Sequence, residues 1–131
     1  LYPVLLSFLN DSGFPNASFA LKDVRLKDSS ILNLFKKSSE TKPPQIKQIL
    51  NTYPGRRFIL IGDSGELDPE IYAKIQQQYP KQIIQIIIRN VTGESLSNQR
   101  FNKLLNETPA DLWQLFDDAS TVSGNFMSSP E

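Results

Sequence analysis

Residues 83–91 read IIQIIIRNV, a nearly continuous isoleucine run that is short and bounded on both sides. A run of this kind is what a parallel strand covered on both faces requires, because neither face can be left polar. Upstream lies a second apolar run, FILI at 58–61. Between the two, Ile71, Tyr72, Ile75 and Tyr79 fall on one face of a helix predicted over 69–79, with Pro69 in its first position and a stop at Pro80. One helix between two strands makes one crossover, so the strands are expected to be adjacent and parallel.

The rest of the chain extends the alternation. Tyr2, Leu5, Leu6 and Leu9 make a helical stripe over residues 1–11 that ends near Asp11-Ser12-Gly13. SFALKD at 18–23 reads as a short strand, and 27–42 as a polar connection with at most a turn of helix. Pro43-Pro44 then opens a helix carrying Ile46, Ile49, Leu50 and Tyr53, closed by Pro54-Gly55. Residues 97–106 and 109–118 read as two further helices, the second capped by Thr108, started by Pro109 and packed through Leu112, Trp113, Leu115 and Phe116. Trp113 reads as a packing anchor. The small, polar stretch 120–131 is expected to be a mobile tail. Strands alternating with helices give an α/β domain over 1–119.

Composition limits the chemistry. The 131 residues contain no cysteine and no histidine, so disulfides, thiolate metal sites and the commonest general base are excluded. Fourteen basic residues balance fourteen acidic ones, and no net field draws in nucleic acid or an anionic membrane. YPVLLSFL has neither the basic leader of a signal peptide nor the length of a membrane span. The four Asn-x-Ser/Thr triplets, at Asn10, Asn16, Asn90 and Asn106, are what an Asn-, Ser- and Thr-rich chain produces by chance. The expectation is a cytoplasmic protein, monomeric, whose chemistry runs on carboxylates, Lys, Arg, Ser or Tyr.

The stretch FILIGDSGELDPEIY, residues 58–72, concentrates the candidates. Functional groups of open α/β sheets gather beyond the carboxyl ends of the strands, where Asp63 stands, and Gly62 before it permits a close approach. Asp63 is open to two readings, a turn former bonded to nearby amides or a metal ligand. For Asp68, followed by Pro and Glu, a helix cap worth about 1 kcal/mol is the stronger reading from pattern alone. Lys42, at the leading edge of the Pro43-Pro44 helix, would be unfavourable there by roughly 0.3–1 kcal/mol unless an anion lies nearby. A solvated lysine among Lys36, Lys37 and Lys47 is its plain alternative. Arg89 lies at the same end of the sheet as Asp63, within reach of a salt bridge to these acids.

KPPQIKQIL, FILIGDSGELDPEIY and IIQIIIRNV together resemble the catalytic domain of the actin-patch type of phosphatidate phosphatase, a branch of the haloacid-dehalogenase-like phosphohydrolases. The resemblance spans roughly residues 1–91 and includes LYPVLL and GFP; its specific core is GDSG-x-x-DPE-x-Y. It implies a Rossmann-like three-layer α/β/α fold around a parallel sheet. It assigns Lys42 to charge on the phosphoryl group and the nucleophile, and Asp63 and Asp68 to Mg2+, directly or through water. It also implies a phosphorylated lipid or other phosphomonoester as substrate and no nucleic acid. Contact of Lys36, Lys37, Arg56 and Arg57 with a membrane surface stays open, since exposed basic residues usually do nothing specific.

One part of the family pattern is missing. These enzymes attack phosphorus with the first aspartate of DxDxT, and no DxDxT occurs in the sequence. The Ser or Thr of the next motif is expected just before LYPVLL, so the chain is expected to be the C-terminal part of a catalytic domain whose nucleophile strand lies upstream. In the family's sheet that missing pair of strands separates SFALKD from FILI. The expected function is a magnesium-dependent phosphatase that converts phosphatidate to diacylglycerol through an aspartyl-phosphate in the intact protein. The alternatives are an α/β interaction domain without the nucleophile, and a plain binding module whose acids are caps.

Overall fold

The computed structural model describes residues 2–13 and 31–122. In chain order the elements are α1 (Tyr2–Asp11), α2 (Ile31–Thr52), β1 (Phe58–Asp63), α3 (Asp68–Gln78), β2 (Ile83–Arg89), α4 (Gln99–Glu107), a 3-10 turn (Ala110–Leu112), β3 (Trp113–Phe116) and a second 3-10 turn (Ala119–Thr121). The strands form one sheet in the order β1-β2-β3, and both pairs are parallel. The two apolar runs are therefore adjacent and parallel, as expected, with Gly62 opposite Ile88 and Asp63 opposite Arg89. The predicted strand SFALKD lies outside the described residues, and so does most of the polar tail.

β2 is central. Ile86, Ile87 and Ile88 are all buried, which covers both faces of the strand, while Ile84 nearer its start is partly exposed. Ile83, Ile86 and Ile88 join Leu50, Ile71, Tyr72, Ala73, Ile75, Phe101, Leu104 and Trp113 in one core. α3 is the hub of the helical layer, packing on β1, β2, α2 and α4.

Two expectations are corrected. Residues 109–118 are not a helix: after the short 3-10 turn the chain runs as β3 beside β2, with Trp113 opposite Ile86. Trp113 and Leu115, two apart, both reach the core, which is the period of a strand. The unpaired edge of β2 takes this segment because each buried strand group needs a partner. Thr108 is the C-cap residue of α4 rather than the start of a second helix; its hydroxyl donates to the Leu104 carbonyl (2.7 Å) and accepts from the Trp113 indole N–H (2.8 Å). Trp113 is the anchor expected, edge-on to Phe101 at 6.2 Å.

The second correction concerns residues 31–42, read from sequence as a polar connection. They form the first half of α2, and Pro43 and Pro44 lie inside that helix instead of opening it. A proline in a helix interior removes one hydrogen bond to the carbonyl four residues back, without compelling the chain to stop. At its other end α2 is tied to the sheet by Gln82, whose amide donates to the Leu50 carbonyl (3.1 Å), left open by the helix terminus, and to the Tyr53 carbonyl just beyond it (3.0 Å).

Candidate functional site

β1 delivers Gly62 and Asp63 to the carboxyl end of the sheet, residues 64–67 turn, and α3 begins at Asp68. Asp63 shapes that turn: its Oδ1 accepts from the amides of Gly65 (2.9 Å) and Glu66 (3.1 Å). Oδ2 accepts no hydrogen bond among the described residues. The turn-forming reading of Asp63 is therefore realised, and it leaves one carboxylate oxygen over.

Asp68 does not cap α3. The cap position belongs to Leu67, with no side-chain cap bond, and Asp68 is the first helical residue, ahead of Pro69. Its carboxylate points back to the strand: Oδ2 accepts from the Asp63 amide (3.3 Å) and Oδ1 from Lys42 Nζ (2.5 Å). The side chain is 5% exposed. A Cβ on residue 62 would lie 2.7 Å from Asp68 Cβ and 2.8 Å from its Cγ, so only glycine fits beneath this side chain. The close approach expected at Gly62 is made by Asp68.

Lys42 is brought to the same place by α2. It sits inside that helix rather than at the positive end, so the dipole argument drops out. Its ammonium bridges Asp68 and Glu66, 2.5 Å from each. Burial opposes its charge, but the hydrogen bonds to Asp68 and Glu66 outweigh burial and raise its pKa above the ordinary lysine value. Beside it, burial and the Asp68 charge push the Tyr72 phenol up to about 12. That phenol donates to the Ile61 carbonyl (2.8 Å) and locks α3 to the end of β1. Arg89, though opposite Asp63, forms no ion pair with the acids among the described residues.

Sequence reasoning missed the far side of the turn. Arg100 of α4 donates from Nε and Nη2 to Glu70 (2.6 and 2.9 Å), from Nη1 to Glu94 (3.0 Å) and to the Ser64 carbonyl (2.7 Å), and from Nη2 to the Glu66 carbonyl (2.8 Å). Ser64, buried, accepts through its hydroxyl from the amides of Val91 (3.0 Å) and Thr92 (3.2 Å). No local spacing singles out Arg100, because its partners Ser64, Glu66 and Glu70 lie 30 or more positions away.

Lys42, Asp63 and Asp68 thus meet at the carboxyl end of β1, with the GDSGELDPEIY stretch supplying both acids in the described geometry. Residues 1–90 match the family model for Phosphatidate phosphatase APP1, catalytic domain. The chain belongs to the phosphatidate phosphatase APP1 catalytic-domain family. Phosphatidate phosphatase APP1 of Saccharomyces cerevisiae is 46% identical over 52 residues, which are 40% of this chain and 9% of that protein. An uncharacterised protein of Schizosaccharomyces pombe is 28% identical over 94 residues, 72% of this chain and 15% of the relative. The chain therefore spans a small fraction of these relatives' length. No solved structure matches it. Among the described residues no helix is long and apolar enough to cross a membrane.

The family's resemblance implies magnesium, and the donor chemistry suits it in part. The turn offers oxygen ligands alone, with Asp63 Oδ2 uncommitted among the described residues, whereas both oxygens of Asp68 are engaged. No group of three metal-ligating side chains converges among the described residues. If magnesium binds, Asp63 would be the residue to hold it, with water and phosphate oxygens as further ligands, which is how magnesium is commonly held.

Proposed function

We propose that the chain is the C-terminal part of a magnesium-dependent phosphatase domain of the haloacid-dehalogenase-like type. In the intact protein it would convert phosphatidate to diacylglycerol and phosphate through an aspartyl-phosphate formed on an upstream DxDxT. The observation that carries the reading is the Lys42–Asp68 pair set beside Asp63 at the carboxyl end of β1.

In this reading Lys42 stays protonated through neutral pH and offsets charge on the phosphoryl group, as a preorganised cation should. Asp68 and Glu66 hold that ammonium in place. Asp63 offers Oδ2 to the metal, and Asp68 braces the Asp63 backbone amide. Magnesium, when bound, supplies positive charge beside a phosphoryl oxygen and stabilises the charge that develops there.

The test is phosphate release from phosphatidate in mixed micelles by the full-length protein, with magnesium and with a chelator. Turnover abolished by the chelator is expected, and the 131-residue chain alone should be inert because it has no DxDxT. Metal-dependent turnover by the purified 131-residue chain would sink the upstream nucleophile. A full-length protein that lacks DxDxT and turns nothing over would favour the interaction-domain alternative.

A further inference from the structure

All five N–H groups that a guanidinium possesses are committed at Arg100, and two go to the backbone carbonyls of the acid turn, Ser64 and Glu66. Glu70 takes a fork of two parallel bonds, which fixes the plane of the group. Glu94 adds a third carboxylate contact and is joined by the Thr92 hydroxyl at 2.6 Å. Thr92 in turn shares a 2.7 Å hydroxyl contact with Ser64. The turn between β1 and α3 is thereby held on one side by Arg100 and on the other by the loop that follows β2. Both restraints come from residues beyond the family match, which ends at residue 90.

We infer that Arg100 is a positioning residue for the acid turn: by clamping the Ser64 and Glu66 carbonyls, it fixes how Asp63 presents its uncommitted oxygen to a divalent cation. The segment 91–100 accordingly belongs to the functional unit. The inference rests on the proposed role of Asp63, and it has a structural core that stands apart from that role. Held by Arg100, the peptides 64–66 keep the Gly65 and Glu66 amides on Asp63 Oδ1, and Oδ2 accepts no hydrogen bond among the described residues. Lysine cannot replace the clamp, because an ammonium has three donors and no planar fork.

The experiment uses the full-length protein with Arg100→Lys, Glu70→Gln, Asp63→Asn and Leu104→Ala. Leu104 is buried on the same helix and its apolar side chain donates nothing to the turn, so its variant reports the cost of loosening α4; Phe101 is unsuitable because the Arg100 guanidinium lies over its ring at 5.8 Å. Mg2+ affinity is read by calorimetry, and exchange of the Gly65 and Glu66 amides by hydrogen–deuterium exchange. Arg100→Lys should weaken Mg2+ by roughly 10- to 100-fold, the usual cost of losing a residue that orients a ligand. It should also speed exchange at both amides. Glu70→Gln should shift both in the same direction by less, and Leu104→Ala should lower the melting temperature without moving Mg2+ affinity. Unchanged amide exchange in Arg100→Lys would overturn the clamp, as would an equal loss of Mg2+ in Leu104→Ala. Wild-type Mg2+ binding in Asp63→Asn would overturn the proposed role of Asp63 instead, whatever Arg100 does.

Discussion

The Asp68 side chain lies directly against the α-carbon of Gly62, so close that a methyl group there would overlap Asp68 Cβ and Cγ. Strand end and helix start are fitted together at this point, and the buried carboxylate is turned toward Lys42 as a result.

Gly62→Ala should therefore expel Asp68 from its seat. The expected cost is about 1–3 kcal/mol, the usual range for overpacking a filled site. Gly55→Ala, where a Cβ meets nothing within 4 Å, should stay within about 0.5 kcal/mol. Chemical denaturation of both variants checks the contrast, and equal stabilities would mean that Asp68 moves aside freely.

Asp63→Asn and Asp68→Asn should separate function from stability. Asn at 63 keeps an oxygen for the Gly65 and Glu66 amides, so melting should barely change while activity falls and partly returns at higher magnesium. Asn at 68 loses the charged bond to Lys42, worth about 1.5–3 kcal/mol, and should lower both melting temperature and activity. Parallel melting and turnover assays distinguish the two.

Acid should loosen the Glu70–Arg100 pair. Burial pushes the Glu70 pKa up, but the Arg100 hydrogen bond outweighs burial and holds it below the ordinary glutamate value. An acid depressed in this way stabilises the fold above its unfolded pKa, about 4.3, and that contribution is lost as pH falls through the folded value. Melting temperature against pH should decline below about 4.3 in the wild type, and the decline should be shallower in Glu70→Gln.

Alkali should act through Tyr72. Its pKa of about 12 is raised by burial and then by the Asp68 charge. A group raised on folding stabilises below its unfolded pKa, about 10 for tyrosine, and loses that contribution as pH climbs to the folded value. Tyr72→Phe should melt lower at neutral pH by about 1 kcal/mol, for the lost bond to Ile61. Its curve between about pH 10 and 12 should be flatter than the wild type's, and an equally steep decline would place the alkaline transition elsewhere.

Thr108→Val should strand the Trp113 indole N–H and the Leu104 carbonyl in the core, at about 1–3 kcal/mol. Urea unfolding followed by Trp113 fluorescence measures it.

The strands β1 and β2, helix α3 and the parallel pairing were determined by sequence alone, since Ile83, Ile86, Ile87 and Ile88 tolerate only a buried strand and Pro69 marks where the next element begins. Asp63 could be placed at the strand end for the same reason. What the sequence did not reveal were the features decided by partners far along the chain. Trp113 to Phe116 carries apolar residues at spacings that suit a short helix as well as a strand, and the open edge of β2 chose the strand. Pro43-Pro44 looked like a helix start because local propensity counts the missing amides, whereas α2 runs on through both prolines. Asp68 had the local signature of a cap, yet its carboxylate turns to Lys42, and Arg100 reaches the turn only once α4 is folded onto α3. Local spacing encodes which face of an element is apolar; which charged groups meet at the ends of those elements is set by how the elements pack, and that is a property of the tertiary fold.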